Sequence, residues 1–299
     1  MIKLFGCSFT QWIYPTWADF VKLHYKCPVN IYGRPGMGNQ SIKKMIMLHA
    51  KSGDHVIPMY SGNDRHEHGI DLEFSKNDIK RFIDNKFWTS GFAHEDKMFV
   101  IDENNYSLFH SLYTQAENIV DIQSYCKANR IKYNAVSWQS LYSNLKQRRT
   151  NYGRGKPTNL KRYLSNTVFN TVYNLVDKDA FLDKYPLGLL DYIHSNKKLF
   201  EYQNTWDFHP SCFAHYSYFV DYVKPVLDQQ YVPYDNLTDL RNSSVGLSQY
   251  YASLSCHDAG APNGDNDFVH EKFLDMRKML VSMFFEEFKD NLVNGINFE

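Results

Sequence analysis

The chain opens on a short apolar run, IKLF at 2–5, and three similar runs follow: VNIY at 29–32, HVIPMY at 55–60 and IKYNAVSW at 131–138. Brief, continuous apolar runs bounded by turn residues predict strands buried on both faces. Between the first three lie stretches of helical character at 17–25 and 40–50, the second placing Ile42, Met45, Ile46 and His49 at near-helical spacing. Strand, helix, strand, helix, strand at this pitch predicts right-handed βαβ units and a parallel sheet covered on both faces. From 70 onward the pattern loosens, then a helical stretch at 106–129 leads into the fourth strand, and 139–205 read as mostly helical. Two more helical patterns, near 236–254 and 270–291, flank the turn-rich HDAGAPNGDND. The expected division is an α/β domain over 1–228 with a mostly helical insertion at about 70–205, and a helical C-terminal extension over 229–299.

Charge changes little in this picture. Lys plus Arg equals Asp plus Glu at 33 each in 299 residues, so no global field recruits nucleic acid or an anionic membrane. The basic segment KQRRTNYGRGKPTNLKR at 146–162 carries seven cations and no acid, and reads as a solvated surface loop. Cysteines at 7, 27, 126, 212 and 256 are odd in number and irregular in spacing, which argues against a disulfide framework or a zinc site and fits a reducing compartment. His66, Glu67 and His68 are neighbours in sequence and cannot converge on one ion from a strand or helix, so they read as a turn. No metal or cofactor is expected. Neither a signal-peptide pattern nor an apolar stretch of membrane-spanning length is apparent, so a cytoplasmic location is expected. Aromatic residues make up 16% of the chain and are expected mainly to fill the core.

The residues that follow the strands carry the chemistry. The first strand runs into Gly6-Cys7-Ser8-Phe9-Thr10, the second into GRPGMGN at 33–39 and the third into Tyr60-Ser61-Gly62-Asn63-Asp64. Each exit holds small residues with a hydroxyl or an amide, at the carboxyl ends where open α/β sheets place their ligands. Far downstream, Asp207-Phe208-His209-Pro210-Ser211 precedes an amphipathic helix.

Serine, glycine, asparagine and histidine in that order resemble the SGNH (GDSL-like) hydrolase superfamily, and the spelling GCSFT with HPSxxAH also resembles SGNH-type proteins of tailed phages. The resemblance covers 1–64 and 205–227. It implies a flavodoxin-like three-layer α/β/α fold with a central parallel sheet. It also implies Ser8 as nucleophile, His209 as its base and Asp207 as the acid that orients the base. The oxyanion donors would be the backbone N–H groups of Ser8 and Gly36 and the side-chain amide of Asn63, with Gly38 close enough to compete with Gly36. Cys7 stands where the family has Asp, and Ser61 where it has Gly; the Asp to His spacing of two puts Trp206 at the usual acid position. A rival pair with the commoner spacing exists at Asp267 and His270.

The residue types suit the chemistry independently of the family. A serine hydroxyl is a poor nucleophile until a neighbouring imidazole takes its proton, and the imidazole needs a third group to fix its tautomer. Donors aimed at the developing oxyanion contribute several kcal/mol, about 2.7–4 for a single one. The absence of GxSxG separates the pattern from the α/β-hydrolase nucleophile elbow. The expected function is a serine esterase or acyl hydrolase acting on a small acyl ester, such as an O-acetyl group of a carbohydrate. An acyltransferase, and a non-catalytic binding or structural protein on the same scaffold, are the alternatives. The expected partner is that ester substrate, with neither membrane nor nucleic acid; homo-oligomerisation and, for a phage-encoded chain, association with a virion or the host cytoplasm stay open.

Overall fold

A computed structural model of the chain describes residues 1–34, 37–62, 108–144, 156–157, 163–196, 198–199, 209–254 and 270–293. Three strands, β1 (Ile2–Gly6), β2 (Val29–Gly33) and β3 (His55–Tyr60), form where the apolar runs predict them. All pair in parallel, with Leu4 of β1 set between Ile31 of β2 and Ile57 of β3. Beyond β3 come β4 (Lys132–Tyr133) and β5 (Val136–Ser137), both parallel to it, so the sheet runs β2-β1-β3 and then β4 with β5.

The fourth strand is therefore split where the sequence predicts a single run, and Pro58 of β3 supplies the reason. His55 donates its N–H to Met1 O at 2.9 Å, so alternate residues of β3 direct their N–H groups toward β1. Position 58 falls in the other set and faces the fourth strand, where proline has no proton to give. The register stays unbroken across the gap, Val56 opposite Tyr133 and Met59 opposite Val136. Within the gap, Ala135 pairs outward instead, donating to Ala180 O at 2.9 Å and accepting from Leu182 N at 2.8 Å.

Helices α1 (Trp17–His24) and α2 (Asn39–His49) connect the first three strands, and α3 (Leu108–Ala128) leads into β4. Helix α2 packs on β1, β3 and α3, while α1 packs on β2. These packings make an α/β fold with a parallel sheet, compatible with a helical layer on each face. The stretch expected to be mostly helical at 139–205 is helical, among the described residues, chiefly in α4 (Thr167–Leu175) and α5 (Leu189–Ser195). It also contains an antiparallel ladder of β6 (Ser143–Asn144) and β7 (Lys156–Pro157), the latter inside the basic segment expected to be loop.

Helix α6 (Cys212–Tyr218) continues through a π-helical turn at Phe219–Val223 and a last turn at Lys224–Leu227. The C-terminal segment forms α7 (Leu237–Ser253), α8 (His270–Phe284) and α9 (Lys289–Val293), with α7 packed along α6 and α9 against α1. The core is centred on the sheet, where Ile2, Leu4, Phe5, Val56 and Ile57 are fully buried. Among the described residues no helix is long and apolar enough to cross a membrane.

Candidate active site

Strand β1 ends at Gly6, where the chain comes too close to its surroundings for a side chain. A Cβ on Gly6 would lie 2.0 Å from Thr10 Oγ1 and 3.2 Å from Met59 O. The chain then turns tightly: Cys7 O accepts from Thr10 N at 2.8 Å and from Gln11 N at 3.2 Å. This turn carries Ser8 at the carboxyl end of β1, beside the switch point where β2 lies on one side and β3 on the other. Two contacts tie the exits of β1 and β2 together, Arg34 N to Gly6 O at 3.0 Å and Gly33 N to Gln11 Oε1 at 3.2 Å.

His209 arrives from the other end of the sequence, just before α6. Ser211 caps that helix by accepting from Ala214 N at 3.1 Å, and Tyr14 OH donates to Pro210 O at 2.8 Å. The loop after β1 thus holds the backbone next to His209. His209 Nε2 lies 2.8 Å from Ser8 Oγ, joining residues 201 positions apart. In the tautomer with its proton on Nδ1, Nε2 accepts from the serine hydroxyl, the arrangement in which an imidazole can remove that proton.

Aromatic rings pack against this imidazole. The Trp12 indole stacks on it with centroids 3.7 Å apart and planes 20° from parallel. Phe9 lies 5.0 Å from the same ring and 4.5 Å from Trp138, so the imidazole is flanked by apolar surface. Ser8 is only 3% exposed.

The exits of β2 and β3 are clasped by side chains. Asn39 accepts from Ser61 N at 2.7 Å and donates to Ser61 O at 2.9 Å, while Ser61 Oγ donates to Met37 O at 2.6 Å. Gln115 of α3 accepts a further bond from the Asn39 amide. The segment that follows Gly36 and the one that leads to Asn63 are held together by this clasp.

The structure brings Ser8 and His209 together, whereas Asp207, Gly36 and Asn63 lie outside the described residues. Gly38 serves as the N-cap of α2, its carbonyl accepting from Ile42 N at 3.0 Å. Of the rival pair, Asp267 lies outside the described residues, and His270 opens α8 with only its backbone described. Trp206, the triplet 66–68 and most of the basic segment 146–162 also lie outside them. Among the described residues no cluster of three or more His, Cys, Asp or Glu side chains could hold a metal, and Cys7, Cys27, Cys126 and Cys212 are free thiols.

Sequence reasoning did not single out Trp12, Asn39 or Arg277 for the site. Asn39 ends the quoted exit of β2 and Trp12 lies two residues past that of β1, and neither has a role in the motif. Arg277 sits in the C-terminal extension, and no local signal marks its approach to the loop after β1. In comparison with known proteins, no family model and no curated protein matches this chain.

Proposed function

We propose that the protein is a serine esterase or acyl hydrolase of the SGNH type, built on a three-layer α/β/α scaffold. Its substrate is a small acyl ester, such as an O-acetyl group on a carbohydrate. The observation that supports this reading is the 2.8 Å approach of His209 Nε2 to Ser8 Oγ at the carboxyl edge of a parallel sheet. In the proposed reaction His209 takes the Ser8 proton as Oγ attacks the acyl carbon. The Ser8 and Gly36 N–H groups and the Asn63 amide receive the oxyanion, and His209 then returns the proton to the leaving alcohol. Water repeats the sequence to release the acid, or a second alcohol does so in a transferase. Asp207 holds the imidazole in the required tautomer.

A short-chain p-nitrophenyl ester tests the proposal. Wild-type protein should release a burst of p-nitrophenol; Ser8→Ala should abolish the burst, since no acyl-enzyme can form, and His209→Ala should lower the rate by about 10²–10⁴-fold. The 3% exposure of Ser8 favours the second reading, a binding protein with an idle dyad. That reading prevails if a fluorophosphonate probe leaves Ser8 unlabelled and no ester in a broad acyl panel is cleaved.

A further inference from the structure

Arg277 of α8 is 1% exposed, yet it is spent almost wholly on the backbone of other elements. Its Nη1 donates to Trp12 O at 2.5 Å and Tyr14 O at 3.3 Å, and its Nε donates to Leu292 O at 3.4 Å. Its Nη2 meets Asp19 Oδ1 at 2.6 Å, while the other oxygen of the same carboxylate accepts from Thr16 N at 2.8 Å. One guanidinium therefore fixes both ends of the loop 12–16. An apolar side chain would anchor a C-terminal helix at least as well, because a buried ion pair loses in desolvation much of what it gains in attraction. A rigid fork of five N–H groups adds direction.

That loop grips His209 in two ways. Trp12 lies flat on its imidazole at 3.7 Å, and Tyr14 OH holds the carbonyl of the next residue at 2.8 Å. We propose that Arg277 and Trp12 are positioning residues for His209. Arg277 sets the loop 12–16 so that the Trp12 indole fixes the imidazole plane in line with Ser8 Oγ, which makes the C-terminal helix α8 part of the active site. This inference rests on the hydrolase reading for its catalytic meaning, and on geometry alone for the placement of the ring. An imidazole free to rotate about its side-chain bonds would meet Ser8 in only a fraction of its orientations, and misplacement of a reacting group by about 1 Å can cost as much as 10²-fold in rate.

The ring stack offers a readout independent of catalysis. Protons on an imidazole lying over an indole face resonate upfield, and the His209 C–H signals can be assigned by their loss in His209→Asn. Trp12→Leu removes the ring current itself, so its readout is kcat for a p-nitrophenyl ester, which should fall by about ten- to a hundredfold. Arg277→Lys keeps a cation opposite Asp19 but cannot reach both loop carbonyls; it should move the His209 signals part of the way and lower kcat by about tenfold. Leu280→Ala, at a fully buried position of the same helix, supplies the structural control and should lower the melting temperature while leaving the His209 signals in place. The inference is overturned if Arg277→Lys lowers the melting temperature as Leu280→Ala does, with the His209 signals and kcat unchanged. A wild-type protein that cleaves no ester but whose His209 signals respond as described would remove the hydrolase reading and leave the positioning intact.

Discussion

The smallest residue near Ser8 carries the most local information. At Gly6 the φ angle is unexceptional, so its requirement for glycine comes from space: the Thr10 hydroxyl and Met59 carbonyl occupy the volume a methyl group would take. Gly6→Ala should push Thr10 away and open the turn that Cys7 O closes over residues 10 and 11. Overpacking a tight site costs about 1–3 kcal/mol. Because the displaced turn carries Ser8, labelling by a fluorophosphonate should fall well beyond what the unfolded fraction explains. Labelling that merely tracks the folded fraction would show that the turn tolerates the methyl group. Asn39 makes the complementary case, since one amide satisfies both backbone groups of Ser61. Asn39→Ala leaves those groups without their buried partner and should cost about 1–3 kcal/mol in urea unfolding, by the desolvation penalty of an unpaired polar group. A variant within experimental error of wild type would show that other groups replace the clasp.

Elements differ in how much of them the amino-acid pattern reveals. Strands β1 to β3 and helices α1 and α2 are legible because each apolar run is local and its boundaries carry glycine, proline or capping residues. The fourth strand shows how a local reading falls short. Its own sequence is uninterrupted, and the break at 134–135 is imposed by Pro58 on the neighbouring strand, a signal present in HVIPMY but meaningful only once pairing and register are known. The same distinction separates the parts of the candidate site. Ser8 and His209 are legible through the resemblance of the strand exits and of the HPS segment to the SGNH pattern, and an imidazole is the commonest base for a serine hydroxyl. The Trp12 stack and the Arg277 fork are not legible, because their meaning lies in contacts across the molecule, as far as 265 positions for Arg277 and Trp12. The π-helical turn at Phe219–Val223 likewise has no signature in FVDYV that periodicity detects.

At the scale of the whole molecule, two buried groups at opposite ends of the pairing between β3 and the fourth strand make opposed contributions to stability. His55 is 1% exposed, with Nδ1 3.0 Å from Tyr231 OH and Nε2 2.9 Å from Asn134 Oδ1, and burial pushes its imidazole down to about 4. Asp183 accepts from Tyr218 OH at 2.5 Å and Ser137 N at 3.0 Å, yet burial outweighs these bonds and pushes its carboxyl up to about 7. For His55 the folded value lies below the unfolded one of about 6.5, so its contribution is present above that pH and is lost as pH falls toward 4. For Asp183 the folded value lies above the unfolded one of about 3.9, so its contribution is present at low pH and is lost as pH rises toward 7. Between about pH 4 and 6.5 the two slopes, each near 1.4 kcal/mol per pH unit, have opposite signs and largely cancel. Removing either group should therefore uncover the other. Relative to wild type, Asp183→Asn should gain stability as pH rises through this window, and His55→Asn should lose it. Both differences should be level above about pH 7.5, where neither group exchanges a proton on unfolding. Urea unfolding at half-unit steps from pH 4 to 8 measures them directly. Curves for the two variants that run parallel to wild type would mean that Asp183 is ionised, and His55 protonated, as readily inside the fold as in the unfolded chain.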